Sequence, residues 1–387
     1  MGPLLELRQR GAEVHVRTLA AGVEGVRGAG LDCEPIDSAI EAIAMDDHRK
    51  RSRKGGGERA FEVWAERAPL EVDDFAAALA ATEPDLALVD TTTFGAKAVA
   101  EREGLPWAES RPFLLEDTVR GFPPFGLGLR PMRGAAGRLR DRAAALVAAA
   151  ADRRMRLPTV NAARTAAGLA ELSSMAEAHN RAPLTLYFTA HPFEYPRPMP
   201  PDVVMVGAGA WDPSAELPVE IPADGRPLAL VTCSSEFQDD SAIAAAAIEG
   251  MSERWRLVVT TAGVDPTTLP RHGDAIVERY LPHRPLLERA SVVVCHGGMG
   301  IAQKALAHAV PVCVVPWARD QLDVAAHVEE ARAGVRLSRR RLSPARLADA
   351  ALAAERCGPG AARVKDGYEA TGGSSAAADA LVALVGA

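Results

Sequence analysis

The stretch SVVVCHGGMGIAQKALAHAVPVCVVPW, residues 291–317, constrains this chain more than any other segment. A short apolar run that meets glycines and then a helical period reads as a buried strand ending in a tight turn. A second such run, VPVCVVP, follows the helical residues. Strand, turn, helix and strand in that order form a parallel βαβ unit whose sheet is covered on both faces. In α/β folds built from such units, ligands bind at the carboxyl ends of the strands.

The same alternation runs through the second half of the chain: PLALVTCSS, a helix of alanines, WRLVVTTAG, AIVERYLP and a further helix. The first half has its own alternation. AEVHVRTLA reads as a strand, GVEGVRGAG as a helix, EVWAERAPLEVDDFAAALAATEPDLALVD as a helix ending in a strand at Asp90, and GAKAVAEREG as a helix before a strand at LPWAES. An Ala/Arg-rich helical region over 134–181 and the strands LTLYFTA and DVVMVGA complete it. The polar stretch MDDHRKRSRKGGGER, residues 45–59, has the charge and glycine content of a mobile loop. Residues 211–227, WDPSAELPVEIPADGRP, carry four prolines and little apolar period, as an interdomain linker does. At 387 residues the chain exceeds what one core serves, so two α/β units facing a cleft are expected.

The net charge of −7 and the scattering of the arginines give no stripe to recruit a nucleic-acid backbone. No run of 18 apolar residues is present, so no membrane span is expected. The five cysteines are odd in number, far apart and mostly in apolar runs, which fits buried thiols in a reducing, cytoplasmic compartment.

At the glycine turn, His296, Gly297, Gly298 and Gly300 stand where a buried strand gives way to a helix. Glycines let a ligand approach the backbone, and a helix N-terminus offers unpaired N–H groups and about half a positive charge. That combination suits a diphosphate. Asp320 and Gln321, after the next strand, are an acid–amide pair able to bind vicinal sugar hydroxyls. Tyr280, in Tyr-Leu-Pro, is an aromatic able to stack on a base. The segment RPFLLEDTVRGFPPFGLGLRP, with Phe113, Phe122 and Phe125, has no regular period and suits the wall of an apolar ligand site.

The order Tyr280-x-Pro282, HGGxG over 296–300, and Pro316 followed by Asp320-Gln321 resembles the donor half of inverting nucleotide-sugar glycosyltransferases of the GT-B architecture. The likeness is to actinobacterial natural-product enzymes. GAEVHVRT is similar to the family's second strand, and GGSSAAADALVALV to its C-terminal helix, which crosses back onto the first domain. The resemblance implies two Rossmann-like domains: an acceptor domain over 1–210, a linker over 211–227, a donor domain over 228–368 and the crossing helix over 369–387. It implies an inverting glycosyltransferase that moves a sugar, such as a deoxysugar, to a hydroxyl of a lipophilic natural product. The co-substrate is a TDP- or UDP-sugar, with no resident cofactor and no metal; no D-x-D pattern occurs. A homodimer is compatible with the family.

Residue by residue, the resemblance assigns the diphosphate to His296, Gly297, Gly298 and Gly300, the sugar hydroxyls to Asp320 and Gln321, and the base to Tyr280. Ser234, Ser235 and Thr261 would line the phosphate or base pocket, although such residues at strand ends also serve local hydrogen bonds. Two positions depart from the family: Ile301 where a hydroxyl residue is common, and Val324 where Asn is common. The family's general base is a histidine after the first strand, oriented by an aspartate at the fourth, where Asp90 falls. The chain begins Met1-Gly2-Pro3, at the equivalent of the end of the Gly-His-x-x-Pro motif, so the first strand and its histidine are expected to be missing, leaving two unpaired strand edges. Other histidines considered for that role are His15, His48 and His191. A catalytically silent, nucleotide-binding relative is the alternative reading.

Overall fold

The computed structural model describes residues 1–387 except 50–52, 180, 213–215, 236–237, 239 and 387. Six strands lie in the first half: β1 (His15–Thr18), β2 (Asp32–Pro35), β3 (Ala87–Asp90), β4 (Trp107–Arg111), β5 (Leu184–Tyr187) and β6 (Val203–Met205). Six follow: β7 (Leu228–Thr232), β8 (Arg256–Thr260), β9 (Ile276–Glu278), β10 (Ala290–Cys295), β11 (Val312–Val314) and β12 (Gly334–Arg336).

The second half is one parallel sheet in the order β12-β11-β10-β7-β8-β9. Every residue of β7 and β8 is buried, which is why these strands are apolar without alternation. Each fully buried valine of β10 contributes about 1.5–3 kcal/mol of burial. Strand order reverses between β7 and β10, the point at which such sheets open a crevice for ligands. Cys295 of β10 stands opposite Thr232 of β7. Ser234 and His296 therefore leave the sheet at the same crevice.

In the first half, β3, β4, β5 and β6 pair in parallel in sequence order, while β1 and β2 form a separate parallel pair. No ladder joins β1 to β3 among the described residues, so each presents an unpaired edge. The helix Arg53–Thr82 packs its Ala68 and Val72 against Ala98 and Val99 of the helix Phe94–Glu103 and Ala163 of Leu157–Ala166. The C-terminal helix Gly373–Val385 buries Ala377 and Leu381 against Ala108 of β4 and Leu184 and Leu186 of β5. Between the halves, Leu114, Ala190 and Phe193 share one apolar cluster with Val324, Val328 and Tyr368.

The polar stretch 45–59 is a correction. Its described residues from Arg53 onward are helical rather than looped. Arg59 donates to Asp46 at 2.7 Å and to Glu66 at 2.8 Å, and tertiary packing overrides the low helix propensity of the glycines. Residues 50–52 of that stretch lie outside the described residues. Among the described residues, no helix is long and apolar enough to cross a membrane.

Candidate functional site

The turn after β10 shows what each glycine does. Gly297 has φ +96°, and a Cβ there would lie 2.6 Å from Val314 Cγ1. Gly298 caps the helix Met299–Ala307, and its Cβ would lie 2.5 Å from His296 Nε2. A Cβ on Gly300 would meet nothing within 4 Å. Gly297 is thus demanded by the protein's own backbone, a side chain at Gly298 would press on the His296 ring, and Gly300 faces open space beside the unpaired N–H groups of the helix start. His296 is buried, its Nδ1 is 3.7 Å from Asp240 Oδ2, and that nitrogen has no hydrogen-bond partner among the described residues. Burial, aided by the nearby Arg319 cation, pushes its pKa down to about 4. The imidazole is neutral at pH 7 and keeps one N–H to donate.

The turn after β11 is braced from several directions. Gln321 Oε1 accepts the N–H groups of Trp317 at 2.7 Å and Ala318 at 2.8 Å, and its Nε2 donates to Gln238 Oε1 at 2.7 Å. Gln238 in turn donates to Ser234 Oγ at 2.6 Å, and Ser234 N–H donates to Asp240 Oδ2 at 2.9 Å. The Gln321 amide therefore ties the ends of β7 and β11 together, and its polar atoms are taken up by the protein. Asp320 differs: its Oδ2 is enclosed and has no hydrogen-bond partner among the described residues. Burial pushes its pKa up to about 6, with the Asp323 charge adding to the effect. Directly before Asp320, Arg319 adopts φ +52° and forms a two-pronged ion pair with the buried Asp47 of the first half, at 2.9 and 2.8 Å.

The remaining donor-side residues divide. Ser235 is exposed at the crevice, whereas Thr261 is fully buried and donates its hydroxyl to Val264 O at 2.7 Å within its own turn. Tyr280 is 65% exposed, which leaves its ring face open. Beside it, His283 Nε2 lies 3.1 Å from Thr260 Oγ1, and burial pushes its pKa down to about 4. Val324 is fully buried in the interdomain cluster, so an apolar residue there is a packing choice.

On the acceptor side, Asp90 ends β3 with Oδ1 accepting the Thr92 N–H at 2.8 Å and the Thr92 hydroxyl at 2.5 Å. Among the described residues no histidine ring contacts it. His15 is held by Asp32 at 2.9 Å and Glu13 at 3.2 Å, and His191 Nδ1 is 2.9 Å from Glu194 O. The side chain of His48 lies outside the described residues. Residues 112–133 are irregular, as their composition predicts. Phe113 is 38% exposed and Phe122 half-buried. Phe125 packs on the interdomain cluster with the Arg156 guanidinium 5.4 Å from its ring centroid.

Asp47, Gln238, Asp240 and Asp323 belong to this region and were not legible in the sequence. Asp240, directly before the alanine helix that follows β7, had the one usable signal, an acid at a helix start. Among the described residues, no group of three or more His, Cys, Asp or Glu side chains is arranged to hold a metal ion.

Known proteins resemble this chain in sequence and fold. The family model for UDP-glucoronosyl and UDP-glucosyl transferases matches residues 151–354. The 4'-demethylrebeccamycin synthase of Lentzea aerocolonigenes is 32% identical over 98% of this chain and 94% of that protein. Demethyllactenocin mycarosyltransferase of Streptomyces fradiae is 27% identical over 42% of this chain and 37% of its own length. Among solved structures, the glycotransferase of kitacinnamycin gives a TM-score of 0.75 at 21% identity, covering 99% of this chain and 94% of the other. Glycosyltransferase VinC, solved with dTDP, gives 0.66 at 21% identity over 99% and 95%. Fold and sequence agree: the chain belongs to the UDP-glucoronosyl and UDP-glucosyl transferase family and is a GT-B glycosyltransferase similar to actinobacterial natural-product enzymes.

Proposed function

We propose that the protein transfers a sugar from a nucleoside-diphosphate donor to a hydroxyl of a lipophilic natural product, with inversion at the anomeric carbon. One observation supports the reading: the turn at His296 and the helix start at Met299 follow β10, which borders the switch point of the six-stranded sheet, and the enclosed Asp320 Oδ2 follows the neighbouring β11. The donor diphosphate lies on the N–H groups after Gly298 and accepts the His296 N–H, and Asp320 accepts the sugar hydroxyls. The acceptor hydroxyl oxygen attacks the anomeric carbon from the opposite face as the bond to the diphosphate oxygen breaks, and its proton passes to the Asp90 carboxylate. Charge developing on the leaving diphosphate is met by donors already in place, which is the largest catalytic contribution such a site makes and calls for no metal. Asp90 supports removal of the acceptor proton at the carboxyl end of β3. Thymidine diphosphate is the nucleotide this reading favours, since a solved neighbour of the same fold holds it.

The test is a transfer assay with TDP- and UDP-sugars on hydroxylated polycyclic acceptors. Asp320→Ala is expected to abolish transfer, and full retained activity would overturn the reading. A second reading, a nucleotide-binding relative without transfer, is favoured by the absence of a histidine contact to Asp90 among the described residues. It is supported instead if nucleoside diphosphates bind while no donor–acceptor pair turns over.

A further inference from the structure

The structure assigns Asp323 a positioning role: we infer that it holds the acceptor-side loop in register with the donor motif three residues away. The inference rests on the reading of residues 112–133 as the acceptor wall. Asp323 lies in the first turn of the helix Gln321–Glu330, on the same stretch that presents Asp320, and is 4% exposed. Its Oδ1 accepts two backbone N–H groups from the first half of the chain, those of Gly126 and Gly128, each at 3.1 Å. Gly128 has φ +61°, and a Cβ there would lie 2.5 Å from Leu322 Cβ, so the loop touches the donor helix at van der Waals distance.

Further contacts hold the loop to this helix and to the residues around it. Arg336 donates to Gly128 O at 3.1 Å, and Arg130 donates to Glu330 at 3.1 Å. The Tyr195 hydroxyl donates to Leu129 O at 3.1 Å, and its ring stacks on His327 at 3.7 Å. Asp323 is the member of this set that binds the loop backbone on either side of Leu127, next to Phe125. Its carboxylate therefore sets the distance between the sugar-binding Asp320 and the apolar wall. A displacement of about 1 Å in such a relation costs on the order of 100-fold in rate.

The experiment compares wild type, Asp323→Ala, Asp323→Asn and Phe125→Ala in steady-state transfer, with nucleoside-diphosphate titration and thermal melting alongside. Asp323→Ala is expected to raise the acceptor KM about 10-fold, the loss of a charge-assisted bond, with nucleoside-diphosphate affinity within about 2-fold of wild type. Asp323→Asn, which keeps an acceptor oxygen for both N–H groups, is expected to restore most of the acceptor KM. If Phe125→Ala raises the acceptor KM and Asp323→Ala does not, the positioning role is overturned and the acceptor reading stands. If neither raises it, the acceptor reading itself fails. Equal impairment of Asp323→Ala and Asp323→Asn also overturns the role, since the backbone tie would then be irrelevant. Should Asp323→Ala not fold, Gly128→Ala displaces the same loop through Leu322 and carries the same expectations.

Discussion

The guanidinium of Arg319 and the carboxylate of Asp47 meet in two hydrogen bonds, although 272 positions separate them in the chain. Arg319 is also close enough to His296 to depress its pKa. A cation next to the diphosphate turn is thus neutralised by an anion from the opposite domain. Asp47→Asn removes that negative charge and makes the surroundings of the turn more positive. Calorimetric titration is expected to show nucleoside-diphosphate affinity rising several-fold, on the order of the 1 kcal/mol of a partly exposed pair. Unchanged or weaker binding would count against this electrostatic account.

Asp320 gives a pH signature. Its folded pKa of about 6 lies above the ordinary aspartate value of about 3.9, so its burial favours folding below about pH 4 and the contribution is lost as pH rises through 6. His296 runs the other way: its folded pKa of about 4 lies below 6.5, so its contribution is present above about pH 6.5 and lost as pH falls toward 4. For activity, only ionised Asp320 accepts hydroxyls freely. Transfer kcat/KM for the donor should rise between pH 5 and 7 with a midpoint near about 6. Because the Asp323 charge helps raise that pKa, Asp323→Asn should move the midpoint to lower pH; a midpoint that stays put contradicts the assignment.

Gly297 and Gly300 should respond differently to the same change. Gly297→Ala puts a Cβ on a left-handed residue against Val314 and costs about 1–3 kcal/mol, or roughly 2–10 °C in Tm for a domain of this size. Gly300→Ala meets open space in the protein. It should leave Tm within about 2 °C while weakening nucleoside-diphosphate binding. Equal melting losses in both variants would refute the distinction.

Gln321→Ala tests whether that amide is a brace. Two N–H groups, of Trp317 and Ala318, lose their acceptor, at about 1–3 kcal/mol for each group left unsatisfied. A clear drop in Tm is expected before any substrate is added. An unaltered melting curve with impaired transfer would instead make the amide a pure sugar contact.

Much of the layout was legible. Buried parallel strands announce themselves as short apolar runs because both their faces are covered, and the HGGxG turn announces a helix start because only glycine tolerates the Gly297 backbone. Only the first turns of the helix from Arg53, residues 53–59, read as a loop, because their glycines and charges oppose helix locally. Thr261 and Gln321 show a different limit: residue type gives hydrogen-bonding capacity, but not whether the protein has already used it.

The sequence by itself determined the fold class, the order of elements and the position of the donor turn, since these follow from local periodicity and from backbone sterics within a few residues. Only the tertiary structure decided that Asp47 pairs with Arg319, that Asp323 grips the backbone at Gly126 and Gly128, and that Asp320 is the enclosed acid while Gln321 is a brace. Those outcomes depend on groups hundreds of residues apart sharing a few ångströms, where burial and neighbouring charge, rather than residue type, set what each side chain can do.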